Sequence, residues 1–383
     1  MPRPPKPSQA VAAIGGAPFS PLAQRAKQRG ERVFPLHVGD TWMEPFEGAR
    51  MEALRVAEHP GMHRYCETAG IPPLVDALVE KLRGRNRLAA EREGVLVTAG
   101  ATSGLSCAVS ALADPGEEVL ILAPFWPLVR GIVRSQRAVP VEVPFFDRVR
   151  SAADAVAAVE ERLSPRSVAL YFSSPSNPTG RVLPREWLEA LAELARRRDL
   201  WLLSDEVYED YVYRGEHVSI GTLAPERTLS VFSFSKAYGM AGNRAGYLAG
   251  PHEVVAEIHK VQIHSSYHAA TAAQLAALAA LEGGAAWVAA AREAYRGAGE
   301  DAARALGLPP PEGSMFLFID VAQRLDPRGL DGFLEDCLEA GVLVAPGSSS
   351  GADYATWIRL CYSAVPPAEA AEAARRLARV LAG

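Results

Sequence analysis

The most informative segment of the sequence is LSVFSFSKAYGMAGNRAGYLA, residues 229–249. Its two ends, 229–232 and 245–249, are short apolar runs of the kind that form buried strands. Between them lie Ser233, Ser235, Lys236 and Arg244. Aromatic and small residues, rather than charged ones, flank Lys236, so we do not expect its amine to lie on a solvated face. Hydroxyls and an arginine can contact a phosphate, and a lysine adds an amine, so the segment predicts a ligand site.

The same alternation of apolar runs and helical patterns extends from about residue 70 to 275. Further strands are predicted at 95–98, 119–122, 139–143, 168–172 and 200–204, and helices at 151–163, at 184–198 and from 261 past 281. This pattern predicts an α/β fold with a mainly parallel sheet covered by helices. The last hundred residues predict a smaller α+β unit, with a helix at 286–306, strands at 315–319, 342–345 and 357–362, and a final helix.

The composition excludes several classes of protein. The 383 residues contain 40 Lys and Arg against 45 Asp and Glu, a balance without the basic excess of a nucleic-acid binder. No apolar run reaches the ~20 residues of a membrane helix, and the first residues lack the apolar core of a secretory signal. Four scattered cysteines form no CxxC pair. We therefore expect a cytoplasmic enzyme without a metal site. Only five of the 40 basic residues are lysines, so each needs a reason.

Two other segments carry candidate site residues. Residues 100–104, Gly-Ala-Thr-Ser-Gly, link a predicted strand to a helix, where backbone amides favour an anion, although taken alone they are better explained by a plain tight turn. Asn177 lies in a loop stiffened by two prolines and a glycine. Asp205 ends an apolar strand, where open α/β sheets bind ligands. The alternative for Asp205 is an exposed acid that caps the next helix.

Taken together, these segments resemble the class I/II aminotransferases, the fold-type-I enzymes that use pyridoxal 5′-phosphate (PLP). Residues 233–244 resemble that family's lysine signature, 177–180 its Asn-Pro-Thr-Gly loop, and Asp205 with Tyr208 its Asp-x-x-Tyr pair. Further similar segments are 36–40, 65–70 and 341–347. The resemblance implies an N-terminal segment (1–45) that contributes to the small domain, a large PLP-binding domain (46–282) and a small C-terminal domain (283–383). It also implies a homodimer with shared active sites.

The resemblance also implies a role for each site residue. Lys236 would form the internal Schiff base and move the substrate proton, with Asp205 on the pyridine nitrogen and Asn177 and Tyr208 on the ring 3′-oxygen. The implied cofactor-binding residues are Lys236, Ala101, Thr102, Trp126, Asn177, Asp205, Tyr208, Ser233, Ser235, Arg244 and, from the neighbouring subunit, Tyr65. The substrate α-carboxylate would be bound by Arg359, the Gly39 backbone and Asn177. Lys236, Asp205 and Tyr208 would be the catalytic residues.

These motifs imply an aminotransferase that moves an amino group from an α-amino acid to a 2-oxo acid by a ping-pong aldimine/ketimine mechanism. By the same resemblance, Thr102 stands where one bacterial branch of aspartate-specific enzymes carries a lysine, and Asp40 and Trp42 would lie near the substrate entrance. Both features favour a neutral, aromatic or even cationic amino acid over a dicarboxylic one, and a neutral or aromatic substrate is the prediction. Two alternatives remain: a PLP-dependent lyase, cyclase or other biosynthetic enzyme on the same scaffold, and a ligand-sensing module.

Overall fold

A seven-stranded sheet forms the centre of the computed structural model, which describes residues 5–12, 14–15, 20–28 and 32–383. The strands are β1 (Val95–Thr98), β2 (Glu118–Ala123), β3 (Val139–Pro144), β4 (Ser167–Ser173), β5 (Trp201–Asp205), β6 (Thr228–Ser233) and β7 (Gly246–Ala249). Their order is β1-β7-β6-β5-β4-β2-β3. Strand β7 runs antiparallel to both neighbours, and the other neighbouring pairs are parallel. The predicted mainly parallel sheet is confirmed, and β4, β5 and β6 end at the same edge.

Helices cover both faces of this sheet because its strands are apolar on both sides. In β2, Val119 and Ile121 pack into one hydrophobic core, whereas Leu120 and Leu122 pack into the other. The helices of this part are α3 (Pro72–Gly84), α4 (Ala101–Leu112), α5 (Pro127–Ser135), α6 (Ala152–Glu160), α7 (Arg185–Arg197), α8 (Phe234–Ala237), α9 (His252–Ser265) and α10 (Thr271–Gly283). Proline in the first turn suits α3 and α5, since the first helical amides have no partner within the helix.

The C-terminal part forms a second, smaller layer. A three-stranded antiparallel sheet, in the order β8-β10-β9, consists of β8 (Phe316–Asp320), β9 (Ala345–Pro346) and β10 (Trp357–Cys361). The helices are α11 (Ala285–Ala305), α12 (Gly329–Glu339) and α13 (Pro367–Ala382), and two short N-terminal helices, α1 (Gln9–Ala12) and α2 (Ser20–Gln28), complete the described elements. No single described helix is long and apolar enough to span a membrane; α10 and α11 pass that test only as a pair bent by 83°.

Part of the N-terminal segment packs against this smaller layer. Phe34 forms a parallel bridge with Val342, and the amide of Cys361 donates to the carbonyl of Leu36 at 2.8 Å. These contacts support the predicted contribution of residues 1–45 to the small domain, although residues 1–4, 13, 16–19 and 29–31 lie outside the described part. The domain bounds stay a prediction.

Two predicted elements differ from the structure. The helix predicted from residue 261 past 281 is divided, since α9 ends at Ser265 and α10 begins at Thr271. Tyr267, between them, has a φ of 67°, which a helix cannot accommodate. The strand predicted at 342–345 was also wrong: only Ala345–Pro346 pairs with β10, and Val342 pairs with the N-terminal segment instead.

Candidate active site

A cavity of about 360 Å³ opens where β5 and β6 end. Twelve of the thirteen predicted site residues line it: Gly39, Ala101, Thr102, Trp126, Asn177, Asp205, Tyr208, Ser233, Ser235, Lys236, Arg244 and Arg359. The thirteenth, Tyr65, does not line it; its side chain is 82% exposed and contacts the rings of Tyr267 and His268. The fold therefore assembles the predicted site, while the roles of the individual residues stay predictions.

The segment that carries Lys236 is fixed at both ends by the central sheet. It leaves the sheet at Ser233 and returns at Gly246, and these two residues are directly opposite each other in β6 and β7. Within the segment, the hydroxyl of Ser233 accepts a hydrogen bond from the amide of Ser235 at 3.0 Å. The apolar runs 229–232 and 245–249 thus place the polar residues between them at the mouth of the cavity.

Hydrogen-bond donors gather at the corner where β1 is followed by α4. Gly100 has a φ of 78°, and a Cβ at this position would overlap the guanidinium of Arg244, so the site requires glycine. The N-terminus of α4, with its unpaired amides, begins at Ala101. Nη1 of Arg244 lies 3.4 Å from the hydroxyl of Ser235. Helix amides, a guanidinium and hydroxyls together suit a phosphate group.

The amine of Lys236 is buried and has one acidic neighbour, the carboxylate of Asp40. Its side chain is 14% exposed, and Nζ donates to the carbonyl of Gly39 at 2.5 Å and lies 3.9 Å from Oδ1 of Asp40. Burial lowers its pKa, and the charge of Asp40 acts against this shift. A lysine with a lowered pKa has a larger neutral fraction, which is the nucleophilic form. The sequence had suggested Asp40 only as part of the substrate entrance.

Asp205 is a buried carboxylate held by a tyrosine. It is 5% exposed, and Oδ2 accepts a hydrogen bond of 2.7 Å from the hydroxyl of Tyr171, which is fully buried. The amide of Val207 lies 3.4 Å from Oδ1. Burial raises the pKa of Asp205 to about 6, while the hydrogen bond from Tyr171 acts against the rise. Tyr171 could not be recognised from the sequence because it lies inside an apolar run. The available signal was its position two residues before Ser173, the residue of β4 that pairs with Asp205 of β5.

Arg359 is a buried cation whose partners are all neutral. It is 5% exposed; Nη1 donates to Oδ1 of Asn177 at 3.0 Å, and Nη2 donates to the carbonyl of His37 at 2.8 Å. Its guanidinium lies 4.8 Å from the centre of the Phe316 ring. Among the described residues, no carboxylate pairs with it and Nε has no hydrogen-bond partner. A buried charge without a counter-ion is costly, so the geometry suits an incoming carboxylate.

The rest of the cavity wall is mainly apolar. Val38, Leu105 and Leu128 contribute aliphatic surface, next to the indole of Trp126. His37 also lines the cavity. Burial, together with the charge of Arg359, lowers the pKa of His37 to about 4, so its imidazole is neutral near pH 7.

A second polar cluster lies directly after Asp205 in the chain. Glu206, Glu209 and His217 place possible ligand atoms within 4.8 Å of one another, the arrangement that a metal ion would need. However, Lys81 pairs with Glu209, and Nε2 of His217 lies 2.9 Å from Glu206. Burial opposes the charge of His217, but the hydrogen bond with Glu206 raises its pKa overall. Lys81 thus supplies a counter-charge to Glu209 in this cluster, which explains the presence of one of the five lysines.

The fold and the cavity define a fold-type-I transferase of the kind that binds PLP, with a lysine and an aspartate at the carboxyl edge of a mainly parallel sheet. The model of the family described as aminotransferase class I and II matches residues 31–377. The chain belongs to this family.

Relatives agree with this assignment over nearly the whole chain. The aspartate/prephenate aminotransferase of Thermus thermophilus is 38% identical over 98% of this chain and 96% of its own. An arginine–pyruvate transaminase of Pseudomonas aeruginosa is 34% identical over 92% of both chains. Among solved structures, the T. thermophilus aspartate aminotransferase with maleate superposes with a TM-score of 0.89 at 36% identity, covering 98% of this chain and 100% of that one. The chain is therefore an aminotransferase, which confirms amino-group transfer over the lyase and ligand-sensing alternatives.

Proposed function

We propose that the cavity binds PLP through the residues that the sequence singled out, and that the enzyme transfers the amino group of a neutral or aromatic α-amino acid to a 2-oxo acid. One observation carries the cofactor proposal: the cavity combines a buried amine, Lys236, with a buried acid, Asp205, that has no ion pair with any described residue. The first suits covalent attachment of an aldehyde, and the second suits a protonated ring nitrogen.

The residues present fit the rest of the cofactor. The corner formed by Gly100, Ala101 and Arg244 would hold the phosphate, together with Thr102, Ser233 and Ser235. Asn177 and Tyr208, whose side chains hydrogen-bond each other at 3.2 Å, would hold the ring hydroxyl oxygen, and Trp126 would cover one ring face. When bound, PLP withdraws electrons from Cα of the amino acid and so allows its proton to leave.

The chain's own groups would then position the substrate and move its proton. Arg359, with the Gly39 backbone and Asn177, would bind the α-carboxylate, because the guanidinium is buried and has no acidic partner. Nζ of Lys236 would accept the proton from Cα, since burial lowers its pKa and favours the neutral amine. Apolar wall residues would exclude water from the reacting atoms.

The proposed substrate preference rests on the charges around the cavity. Three cations line it: Lys236, Arg244 and Arg359. Each already has a role towards the cofactor or the α-carboxylate, so no described lining cation remains for a second carboxylate. Thr102 and the apolar wall support the same preference, whereas two of the named relatives carry aspartate in their names.

The proposal extends to the assembly and its place in the cell. Tyr65 lies on the surface, 4.9 Å between ring centres from the half-exposed Tyr267. We propose that in a homodimer Tyr65 reaches the phosphate site of the neighbouring subunit, so that each active site is shared. We also propose that the enzyme acts in the cytoplasm, since its four cysteines are all free thiols, which suits a reducing compartment.

Substrates that differ only in charge test the preference most sharply. The protein is loaded with PLP, and single amino acids are added without an acceptor while the absorbance of the bound cofactor and the released 2-oxo acid are followed. Asparagine is compared with aspartate and glutamine with glutamate, and phenylalanine and leucine complete the panel. We expect the neutral member of each pair to react with the higher kcat/KM. A preference for aspartate would refute the substrate proposal, and failure to bind PLP would refute the cofactor proposal.

A further inference from the structure

Asp205 has a feature that the proposed roles do not use: a tyrosine hydroxyl that donates a hydrogen bond to its carboxylate. Tyr171 lies in β4 and Asp205 in β5, and the partner of Asp205 in β4 is Ser173. Because side chains alternate along a strand, Tyr171 points to the same face of the sheet as Ser173 and Asp205. At the end of β5, the hydroxyl of Tyr171 donates a hydrogen bond to Oδ2 of Asp205 at 2.7 Å.

We propose that Tyr171 is a positioning residue for Asp205: its hydroxyl occupies Oδ2, leaves Oδ1 as the oxygen with acceptor capacity to spare, and keeps the buried carboxylate ionised. This inference rests on the proposed function, because it takes Asp205 as the partner of the cofactor ring. Oδ1 receives only the longer 3.4 Å contact from the amide of Val207. Tyr171 is the one described side chain that donates a hydrogen bond to this carboxylate.

The surroundings of Asp205 show why such a donor matters. Burial and the adjacent charge of Glu206 both favour the protonated acid, while Tyr171 and the Val207 amide oppose them. Tyr208, the other titratable group facing Asp205, is itself buried, and burial raises its pKa. The cations Lys236, Arg244 and Arg359 line the same cavity but form no ion pair with Asp205. Without the Tyr171 hydroxyl, the carboxyl would retain a proton that a ring nitrogen needs.

In the reaction, the carboxylate of Asp205 and the pyridine nitrogen of the cofactor would compete for one proton. A carboxylate that is too basic takes the proton shared with a pyridine nitrogen, and the ring then loses the positive charge that makes it an electron acceptor. A hydrogen bond from Tyr171 lowers the basicity of Asp205 and so leaves this proton on the ring. Tyr171 would therefore act on kcat and on the titration of Asp205, but not on the binding of the α-carboxylate at Arg359.

Tyr171→Phe tests this inference, with Tyr354→Phe as the matched control. Tyr354 is equally buried, and its hydroxyl donates to Oδ1 of Asp147 at 2.6 Å, but it does not line the cavity. In the cofactor-free protein, the titration of Asp205 is followed by NMR of ¹³C-labelled aspartate, with Asp205→Asn to assign the signal. A lost hydrogen bond to a charged group predicts an upward shift of about one to two pH units in Tyr171→Phe and none in Tyr354→Phe.

The loaded enzyme provides a second, independent measurement. We expect Tyr171→Phe to lower kcat by about ten- to a hundredfold, which is the effect on a rate of losing one hydrogen bond to a charged group. KM for the amino acid should stay within about twofold. Tyr354→Phe should leave both unchanged. Equal effects of the two variants, or an effect of Tyr171→Phe on KM alone, would show that Tyr171 only packs the core.

A further variant keeps the inference testable if Phe disturbs folding. Site-specific 3,5-difluorotyrosine at position 171 retains the ring and is a stronger donor, so it should shift the Asp205 titration downwards, opposite to Phe. A shift in the same direction for both would refute the inference. Asp205→Asn distinguishes a failure of the proposed function from a failure of this inference. If Asp205→Asn leaves activity intact, the proposed role of Asp205 is wrong. If Asp205→Asn is inactive and Tyr171→Phe is normal, only the role of Tyr171 is refuted.

Discussion

The proposed carboxylate site can be tested by Arg359→Lys, which retains the charge but removes the planar guanidinium. In the structure, one nitrogen of Arg359 bonds Asn177 and another bonds the carbonyl of His37, which fixes the plane of the group. A lysine offers a single ammonium and cannot form a two-bonded pair with a carboxylate while retaining both contacts. We therefore expect the loss of about one charge-assisted hydrogen bond to the substrate.

The size of the effect follows from the burial of the site. A hydrogen bond to a charged group contributes about 1.5–3 kcal/mol, which corresponds to an increase in KM of about 10- to 150-fold. The assay measures amino-acid half-reactions over a range of concentrations, together with the dissociation constant of PLP. The constant for PLP should stay unchanged, because Arg359 is proposed to bind the α-carboxylate and not the phosphate.

Arg227→Lys is the matched control for this experiment. Nη1 of Arg227 also donates to a backbone carbonyl, that of Ala195 at 3.0 Å, but this arginine precedes β6 and does not line the cavity. The Arg227→Lys variant should leave KM for the amino acid unchanged. If Arg359→Lys instead weakens PLP binding while KM for the amino acid is unchanged, Arg359 serves the cofactor and the assignment of the carboxylate site is wrong.

Three further variants test other parts of the site. Lys236→Ala should abolish amino-group transfer and the colour of the lysine-bound cofactor while circular dichroism shows an intact fold; normal turnover would exclude Lys236 as the catalytic amine. Gly100→Ala should weaken PLP binding more than Gly215→Ala, because both glycines have a φ of 78° but only at Gly100 would a Cβ meet Arg244; equal effects would mean that backbone strain alone matters. The pKa of Asp205 is about 6 in the folded protein, above its unfolded value of ~3.9. Ionisation of Asp205 therefore destabilises the cofactor-free fold fully above the folded pKa and not at all below the unfolded pKa. Asp205→Asn should therefore raise the free energy of unfolding by about 1–3 kcal/mol at pH 8 in urea titrations, and a gain that does not shrink from pH 6 towards pH 4 would contradict this origin.

Much of the fold could be predicted because its strands are continuous apolar runs. β1 has the predicted bounds, and the runs that became β5 and β6 were located to within a residue. The division of α9 from α10 could not be predicted, since it depends on distant partners: the side chain of Gln262 donates to the carbonyl of Val97, and that of Gln274 accepts from the amide of Ile71. Ala-rich sequence favours a helix and contains no signal for these anchors.

The site residues that belong to sequence motifs could be predicted, whereas those outside the motifs could not. Lys236 and Arg359 were found because their neighbours in sequence form a pattern. Tyr171 was not, because a tyrosine in a strand usually packs in the core and its hydroxyl partner lies on another strand. Lys81 was noted only as a rare lysine; its pairing with Glu209 requires the fold to bring together residues 128 positions apart.

The segment that carries Lys236 leaves the sheet at Ser233 and returns to it at Gly246, and this affects how the protein unfolds. Ser233 and Gly246 are neighbours in interior strands, so displacing this segment requires rupture of a ladder that hydrogen bonds stabilise on both sides. Amides in such strands exchange with solvent chiefly through global opening. We therefore expect the segment that carries Lys236 to stay in place until these strands open. Cofactor colour should consequently fade only as the whole domain unfolds, and residual colour during denaturation measures the fraction of native molecules.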